Sequence, residues 1–205
     1  RLAEVQSGAR RVGIIFCTMN GCVQFSRRFY AEALDNPALA SPILFPETVY
    51  NAPSSHLAAL LGSTAINYTL VGDSAQFVRG IELAQMWLQD GVVDGCLVVS
   101  AEELDWISDE ALLLFGKKLV ATEGAAAVFM ERTPGHGGVR LDRITEALTF
   151  GSHLSREQAA LRIHTELTAD ARAGAELFDG LGAGDRADRA ELHAWQDFAG
   201  PRSHV

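Results

Sequence analysis

Basic residues are scarce in this chain, and no long apolar run is present. Lys and Arg number 17 against 26 Asp and Glu, which gives a formal net charge of −9 over 205 residues. A nucleic-acid-binding surface is positively charged, so this balance argues against a nucleic-acid partner. No apolar run approaches the ~20 residues that span a bilayer. The first residues contain no signal-peptide core. We therefore expect a cytoplasmic protein without a membrane span.

Cysteines and metal-binding patterns are also sparse. The three cysteines, Cys17, Cys22 and Cys96, form no CxxC pair and are too few for a disulfide scaffold, so we expect buried thiols. The six histidines are scattered, without an HExxH motif. The glycine-rich residues 180–184 lack the Lys-Ser/Thr of a phosphate-binding loop. We expect neither a metal nor a cofactor.

What the chain does contain is the pattern of an α/β domain. Apolar runs of strand length alternate with amphipathic helical stretches, which predicts a largely parallel sheet. The predicted strands cover residues 12–17, 67–72, 96–100, 125–130 and 139–144. The predicted helices cover residues 22–34, 54–61, 75–90, 155–173 and 189–198. After residue 150 the character becomes mainly helical, so we divide the chain into residues 1–150 and 151–205.

The most informative segment is the run Gly72-Asp73-Ser74 between a predicted strand and a predicted helix. A side chain at such a turn lies at the positive end of the helix dipole, where a nucleophile is well placed. Asp and Ser are also common helix N-caps, and a cap alone explains both residues. The serine-hydrolase motif G-x-S-x-G fails because Gln76 occupies its last position. No histidine has an Asp three residues before it, which argues against a GDS-type esterase.

Four segments, in order, resemble the N-terminal half of the β-ketoacyl synthases, a family of the thiolase fold. Residues 41–46 (SPILFP) with 51–52 resemble the stretch before the family's nucleophile strand, and residues 69–84 resemble that strand and its helix. Residues 90–102 and 123–131 (EGAAAVFME) resemble two later motifs. The resemblance implies a thiolase-like layered α-β-α fold, with an N-terminal half and a truncated second half.

The departures from the family pattern fall on its catalytic residues. The resemblance puts the catalytic Cys at Ser74, next to Asp73, and one catalytic His at Asp179. The chain stops before the segment that would carry the second His. Serine is a poor nucleophile without an adjacent base. These substitutions resemble chain-length factors, the inactive paralogues of ketosynthases.

The resemblance also implies partners and a role. A chain-length factor pairs with an active ketosynthase as a heterodimer, through the nucleophile-bearing strand, and shapes the acyl tunnel in polyketide, aryl polyene or fatty-acid-type elongation. By position, the candidate tunnel residues are Phe45, Val49 and Tyr50; ordinary core packing explains them equally well. Acyl carrier protein would dock mainly on the partner, because carriers are usually acidic, or on a basic patch formed by Arg10, Arg11, Arg27 and Arg28.

Two other functions stay open at this point. Ser74 could accept an acyl group in an acyltransferase or hydrolase of the same fold acting on acyl-carrier-protein thioesters, although no base lies at a family position. The chain could also be a structural scaffold without a tunnel role.

Overall fold

The computed structural model describes residues 2–73, 75–115, 120–133, 137–151, 154–169, 175–179 and 186–204. The chain forms two compact units, Arg1–Arg140 and Leu141–Val205. The division expected after residue 150 therefore falls inside the second unit.

A four-stranded mixed sheet organises the first unit. Its strands are β1 (Val12–Thr18), β2 (Asn67–Val71), β3 (Gly95–Glu102) and β4 (Gly124–Met130). Their order is β2-β1-β3-β4; β1 is parallel to both of its neighbours, and β4 is antiparallel to β3. Because β1, β2 and β3 run in the same direction, their carboxyl ends meet at one edge of the sheet.

Among the described residues, five α-helices and one 3₁₀ helix accompany this sheet. They are α1 (Leu2–Gln6), α2 (Val23–Asp35), the 3₁₀ helix Phe45–Thr48, α3 (Ala52–Leu61), α4 (Gln76–Gln89) and α5 (Trp106–Phe115). The predicted strands and helices between residues 12 and 130 are present, with ends that differ by one or two residues in most cases.

The core lies between the sheet and α4. Every residue of β1 is buried, as expected for a continuous apolar run in a parallel strand covered on both faces. Gly80, Ala84 and Leu88 recur at i, i+4 and i+8 and form the buried face of α4. Burial raises the pKa of Cys17 to about 11 and that of Cys96 to about 12, so both stay protonated thiols at neutral pH.

An ion pair at the amino ends of β1 and β3 holds these strands together. The Asp94 carboxylate accepts hydrogen bonds from the Arg11 backbone N–H at 2.9 Å and from its guanidinium at 2.8 and 3.2 Å. The Asp94 and Gly95 N–H groups in turn donate to the Arg11 carbonyl. Hydrogen bonding from Arg11 holds the pKa of Asp94 at about 2, so the carboxylate is ionised at neutral pH.

The described residues of the second unit form two helices and two short strands. It contains α6 (Arg156–Thr168), β5 (Leu177–Asp179), α7 (Arg186–Ala194) and β6 (Arg202–His204), and β5 pairs parallel with β6. The predicted capping box is confirmed: the Ser155 hydroxyl accepts from the Gln158 N–H, and the Gln158 side chain accepts from the Ser155 N–H. The His164 ring on α6 meets the Trp195 ring edge-on at 4.5 Å.

Some sequence-based expectations are wrong. Residues 139–144 form no strand, and Val139 is fully exposed. Their alternating pattern (VRLDRI) favours a strand only where a sheet offers a partner edge. Helix α6 ends at Thr168, whereas the sequence pattern extends this helix to residue 173. Helix α7 covers Arg186–Ala194, whereas the sequence pattern predicts a helix over residues 189–198. The sequence pattern predicts neither helix α5 nor the short strands β5 and β6.

Candidate functional site

The carboxyl ends of β1, β2 and β3 bring together the segments that the sequence singled out. The Gly72 N–H, just after β2, donates to the Thr18 carbonyl at the end of β1 at 3.1 Å. At the end of β3, the Glu102 carboxylate accepts from the Thr18 hydroxyl at 3.3 Å, the Asn20 N–H at 3.1 Å and the Met19 N–H. Glu102 therefore fixes the turn that follows β1, since three donors converge on one carboxylate.

The turn between β2 and α4 is closed by local hydrogen bonds. One oxygen of the Asp73 carboxylate accepts from the Ala75 N–H at 3.0 Å, and the Asp73 carbonyl accepts from the Gln76 N–H at 3.0 Å. Helix α4 begins at Gln76, so the expectation that Asp73 caps this helix is wrong; its side chain stabilises the preceding turn. Ser74 lies outside the described residues.

The described contacts of this turn do not include a base that could activate a serine nucleophile. Asp73 is exposed, and the hydrogen bonds described for it are made by backbone N–H groups of the same turn. A serine nucleophile needs a neighbouring base to take its proton. Within the described part of the chain, no histidine hydrogen-bonds to Asp73 or Glu102.

Each of the three candidate tunnel residues is partly exposed. Phe45, Val49 and Tyr50 are 56%, 46% and 49% exposed. The Phe45 ring packs against the Phe29 ring of α2, with the centroids 5.4 Å apart. The Val49 carbonyl accepts from the Cys22 thiol at 3.7 Å. We call Phe45, Val49 and Tyr50 the apolar face; each of these residues is about half exposed.

Asn51 connects the apolar face to the sheet. Its side-chain oxygen accepts from the Ser54 hydroxyl at 2.6 Å and from the Thr69 hydroxyl at 2.9 Å. Its side-chain nitrogen donates to the Asn67 oxygen and the Ser55 hydroxyl, each at 3.3 Å. Ser54 is fully buried. These bonds bind the start of α3 to strand β2, since Asn67 and Thr69 both belong to that strand.

Asp179 is buried and lies close to an arginine. It lies at the end of β5 in the second unit with its side chain almost fully buried, and one oxygen is 3.6 Å from the Arg202 guanidinium nitrogen. Burial, followed by the Asp179 charge, raises the pKa of the nearby Glu191. An aspartate here cannot donate in the way that a catalytic histidine does while it remains ionised.

Solved structures resemble the chain in fold. No family model matches the sequence, and a search of curated proteins found no relative. The ishigamide ketosynthase/chain length factor matches over 90% of this chain and 55% of its own, with 18% identity and a TM-score of 0.64. A β-ketoacyl synthase from Burkholderia phymatum STM815 matches over 96% and 57%, with 17% identity and a TM-score of 0.69. This chain has the thiolase fold. It spans little more than half the length of these two proteins.

The expected fold class is therefore confirmed. A further solved structure that resembles this chain is part of a complex. A type II polyketide synthase ketosynthase, solved with its acyl-carrier protein, matches over 96% of this chain and 61% of its own, with 18% identity and a TM-score of 0.65. None of the helices among the described residues is long and apolar enough to cross a membrane. The same residues contain no cluster of three potential metal ligands.

The expectation that four arginines form one basic patch is wrong. Arg10 and Arg11 precede β1, whereas Arg27 and Arg28 lie on α2, which follows the opposite end of that strand. Each arginine also contacts a carboxylate, which offsets its charge. The pairs are Arg10 with Glu131, Arg11 with Asp94, Arg27 with Asp105 at 2.8 Å and Arg28 with Glu32 at 3.5 Å.

Sequence reasoning missed the residues that hold the site together. Glu102 and Asn51 belong to segments quoted for the family resemblance, but nothing local marks their side chains as connectors. The partners of Glu102 lie 82–84 residues away along the chain, and the two Asn51 partners on strand β2 lie 16 and 18 residues away. A polar residue that ends a buried strand, as Glu102 does, is the signal that could have indicated a role at the edge of the sheet.

Proposed function

We propose that this chain is a non-catalytic, chain-length-factor-like subunit that pairs with an active ketosynthase and shapes its acyl tunnel during polyketide, polyene or fatty-acid-type elongation. The observation that carries the proposal is the apolar face, which is half-exposed and is tied to strand β2 through Asn51. Half-exposed aromatic side chains that are held in place are suited to contact a partner or an apolar chain.

The residues at the matched catalytic positions support a non-catalytic role. Decarboxylative condensation needs a thiolate nucleophile and donors that stabilise the developing enolate. Here the matched positions hold Ser74, preceded by Asp73, and Asp179, an ion-paired carboxylate. A carboxylate next to the nucleophile position opposes formation of an anion there. The proposal therefore assigns the chemistry to the partner ketosynthase.

The open edge of strand β2 supports the proposal that the ketosynthase pairs with this chain through that strand. Strand β2 is an edge strand, hydrogen-bonded only to β1 within the described sheet. The Gly72 N–H and the Ile66 carbonyl both point at β1. Because backbone groups alternate along a strand, the N–H and C=O groups of Asn67, Thr69 and Val71 point to the open side. An open edge of this kind is a template for a strand from another chain.

We expect the acyl carrier protein to bind mainly to the partner ketosynthase. The chain carries a net charge of −9, and Arg10, Arg11, Arg27 and Arg28 are each paired with a carboxylate. A negatively charged carrier gains little from such a surface.

Co-expression with an active ketosynthase from the same genome tests the proposal. We expect the two chains to co-purify, and we expect Tyr50→Ala to shift the complex toward longer products, because a smaller side chain leaves more room for the acyl chain. Product masses are measured by liquid chromatography–mass spectrometry, with Leu60→Ala as the control, since Leu60 is an exposed apolar residue of α3 outside the apolar face. If the two wild-type chains do not associate, the proposal is wrong.

Intact-mass analysis decides between this subunit role and a Ser74-dependent acyltransferase or hydrolase. After incubation with acyl-carrier-protein thioesters, we expect no acyl adduct on this chain, because serine without a base stays protonated. The active ketosynthase serves as the positive control. An adduct that forms on the wild type and is lost in Ser74→Ala would contradict the proposal and establish the enzyme.

A further inference from the structure

The Tyr50 ring rests on a glycine platform. A Cβ added at Gly21 would collide with the ring carbon Cε1 of Tyr50, so the ring is in direct contact with the Gly21 backbone. Gly21 has φ +67°, a conformation that favours glycine. The Gly21 N–H donates to the Thr18 hydroxyl at 2.9 Å, and that hydroxyl donates to Glu102. The platform is therefore fixed from both β1 and β3.

The other side of Tyr50 is fixed through the next residue. Asn51 uses both atoms of its side-chain amide, accepting from Ser54 and Thr69 and donating to Asn67 and Ser55. The Ser54 hydroxyl is fully buried and also reaches the Asn51 carbonyl at 3.0 Å. The backbone that carries Tyr50 is thus anchored to β2, while the ring itself stays about half exposed.

We propose that Asn51, held by Ser54 and Thr69, is a positioning residue that fixes the Tyr50 ring and thereby sets where an apolar acyl chain stops. This inference rests on the proposed function. A half-exposed tyrosine on a mobile backbone would sample several rotamers and yield to a growing chain. With its backbone anchored and its ring against Gly21, the side chain presents one fixed wall, which gives products of one length.

Thr69 offers the most conservative test of this network. Thr69→Val keeps the shape of the side chain and removes the hydroxyl that donates to Asn51, whereas Thr69→Ser keeps the hydroxyl. Ser63→Ala is the control, since the Ser63 hydroxyl donates to the Val12 carbonyl in the same unit and has no part in this network. Thermal unfolding of each variant identifies those that are folded.

Fluorine NMR of the whole chain labelled with 3-fluorotyrosine reports the ring directly. The chain has three tyrosines, so Tyr50→Phe assigns the signal and Tyr30, on α2, is an internal reference. We expect Thr69→Val and Asn51→Ala to shift or broaden the Tyr50 signal, and Thr69→Ser and Ser63→Ala to leave it unchanged. An unchanged Tyr50 signal in folded Thr69→Val overturns the inference.

The same variants are then compared as complexes with the co-purified ketosynthase. We expect Thr69→Val to at least double the fraction of products longer than the main wild-type product, and Thr69→Ser to restore the wild-type distribution. If the wild-type complex forms and Thr69→Val gives wild-type products, the proposed function stands and the inference is overturned. If the wild-type chain forms no complex, the proposed function itself fails.

Discussion

Val71→Pro is expected to weaken association with the ketosynthase while the chain itself stays folded. The N–H and C=O groups of Val71 point to the open side of β2, away from β1. Proline removes that N–H without taking a hydrogen bond from the β1 ladder, and Leu70 before it already has the extended backbone that proline favours. A partner carbonyl left unpaired in the interface costs about 1–3 kcal/mol, so the dissociation constant should rise by about 5-fold to 150-fold.

The measurement is co-purification followed by analytical ultracentrifugation of the two-chain mixture, with circular dichroism of each variant alone. Val71→Ala is the matched control: it removes the partly exposed side chain but keeps the N–H, so a milder loss of affinity is expected. If Val71→Pro is folded and binds the ketosynthase as tightly as wild type does, the complex does not use the open edge of β2.

The parts of the fold that sequence predicts well are those whose pattern depends on local burial. Strand β1 is an unbroken apolar run and is buried along its whole length, and α4 shows its buried face at helical spacing. Residues 139–144 also alternate, but they form no strand. A strand needs a neighbouring backbone for its hydrogen bonds, and sequence pattern carries no information on whether that neighbour exists.

The candidate site was only partly predictable for a related reason. Its positions came from resemblance to ketosynthases, which placed Tyr50 near the tunnel and Ser74 at the nucleophile turn. The contacts that hold Tyr50 join Asn51 to Thr69 and Glu102 to Asn20, residues that meet only after the sheet has formed. Side chains of Asn, Ser and Thr make hydrogen bonds in so many settings that their letters alone do not identify partners.

Gly80→Val is expected to lower the free energy of unfolding by about 3 kcal/mol or more. Helix α4 crosses the sheet so closely at Gly80 that an added Cβ would lie 2.7 Å from the Cys17 sulfur and 2.9 Å from a methyl carbon of Val98. Both neighbours are completely buried and have no space to move. The helix must therefore lift from the sheet, which also displaces the turn at Asp73 that leads into it.

Gly124→Val is the matched control because it makes the same substitution where a Cβ meets no atom within 4 Å. Gly124 begins strand β4, where valine is favoured, so its stability should change by no more than about 0.5 kcal/mol. Urea unfolding followed by circular dichroism measures both variants. Equal midpoints for the two would show that α4 does not depend on close contact at Gly80. A large loss confined to Gly80→Val, accompanied by weaker association with the ketosynthase, would show that the packing of α4 on the sheet also maintains the edge at which the partner binds.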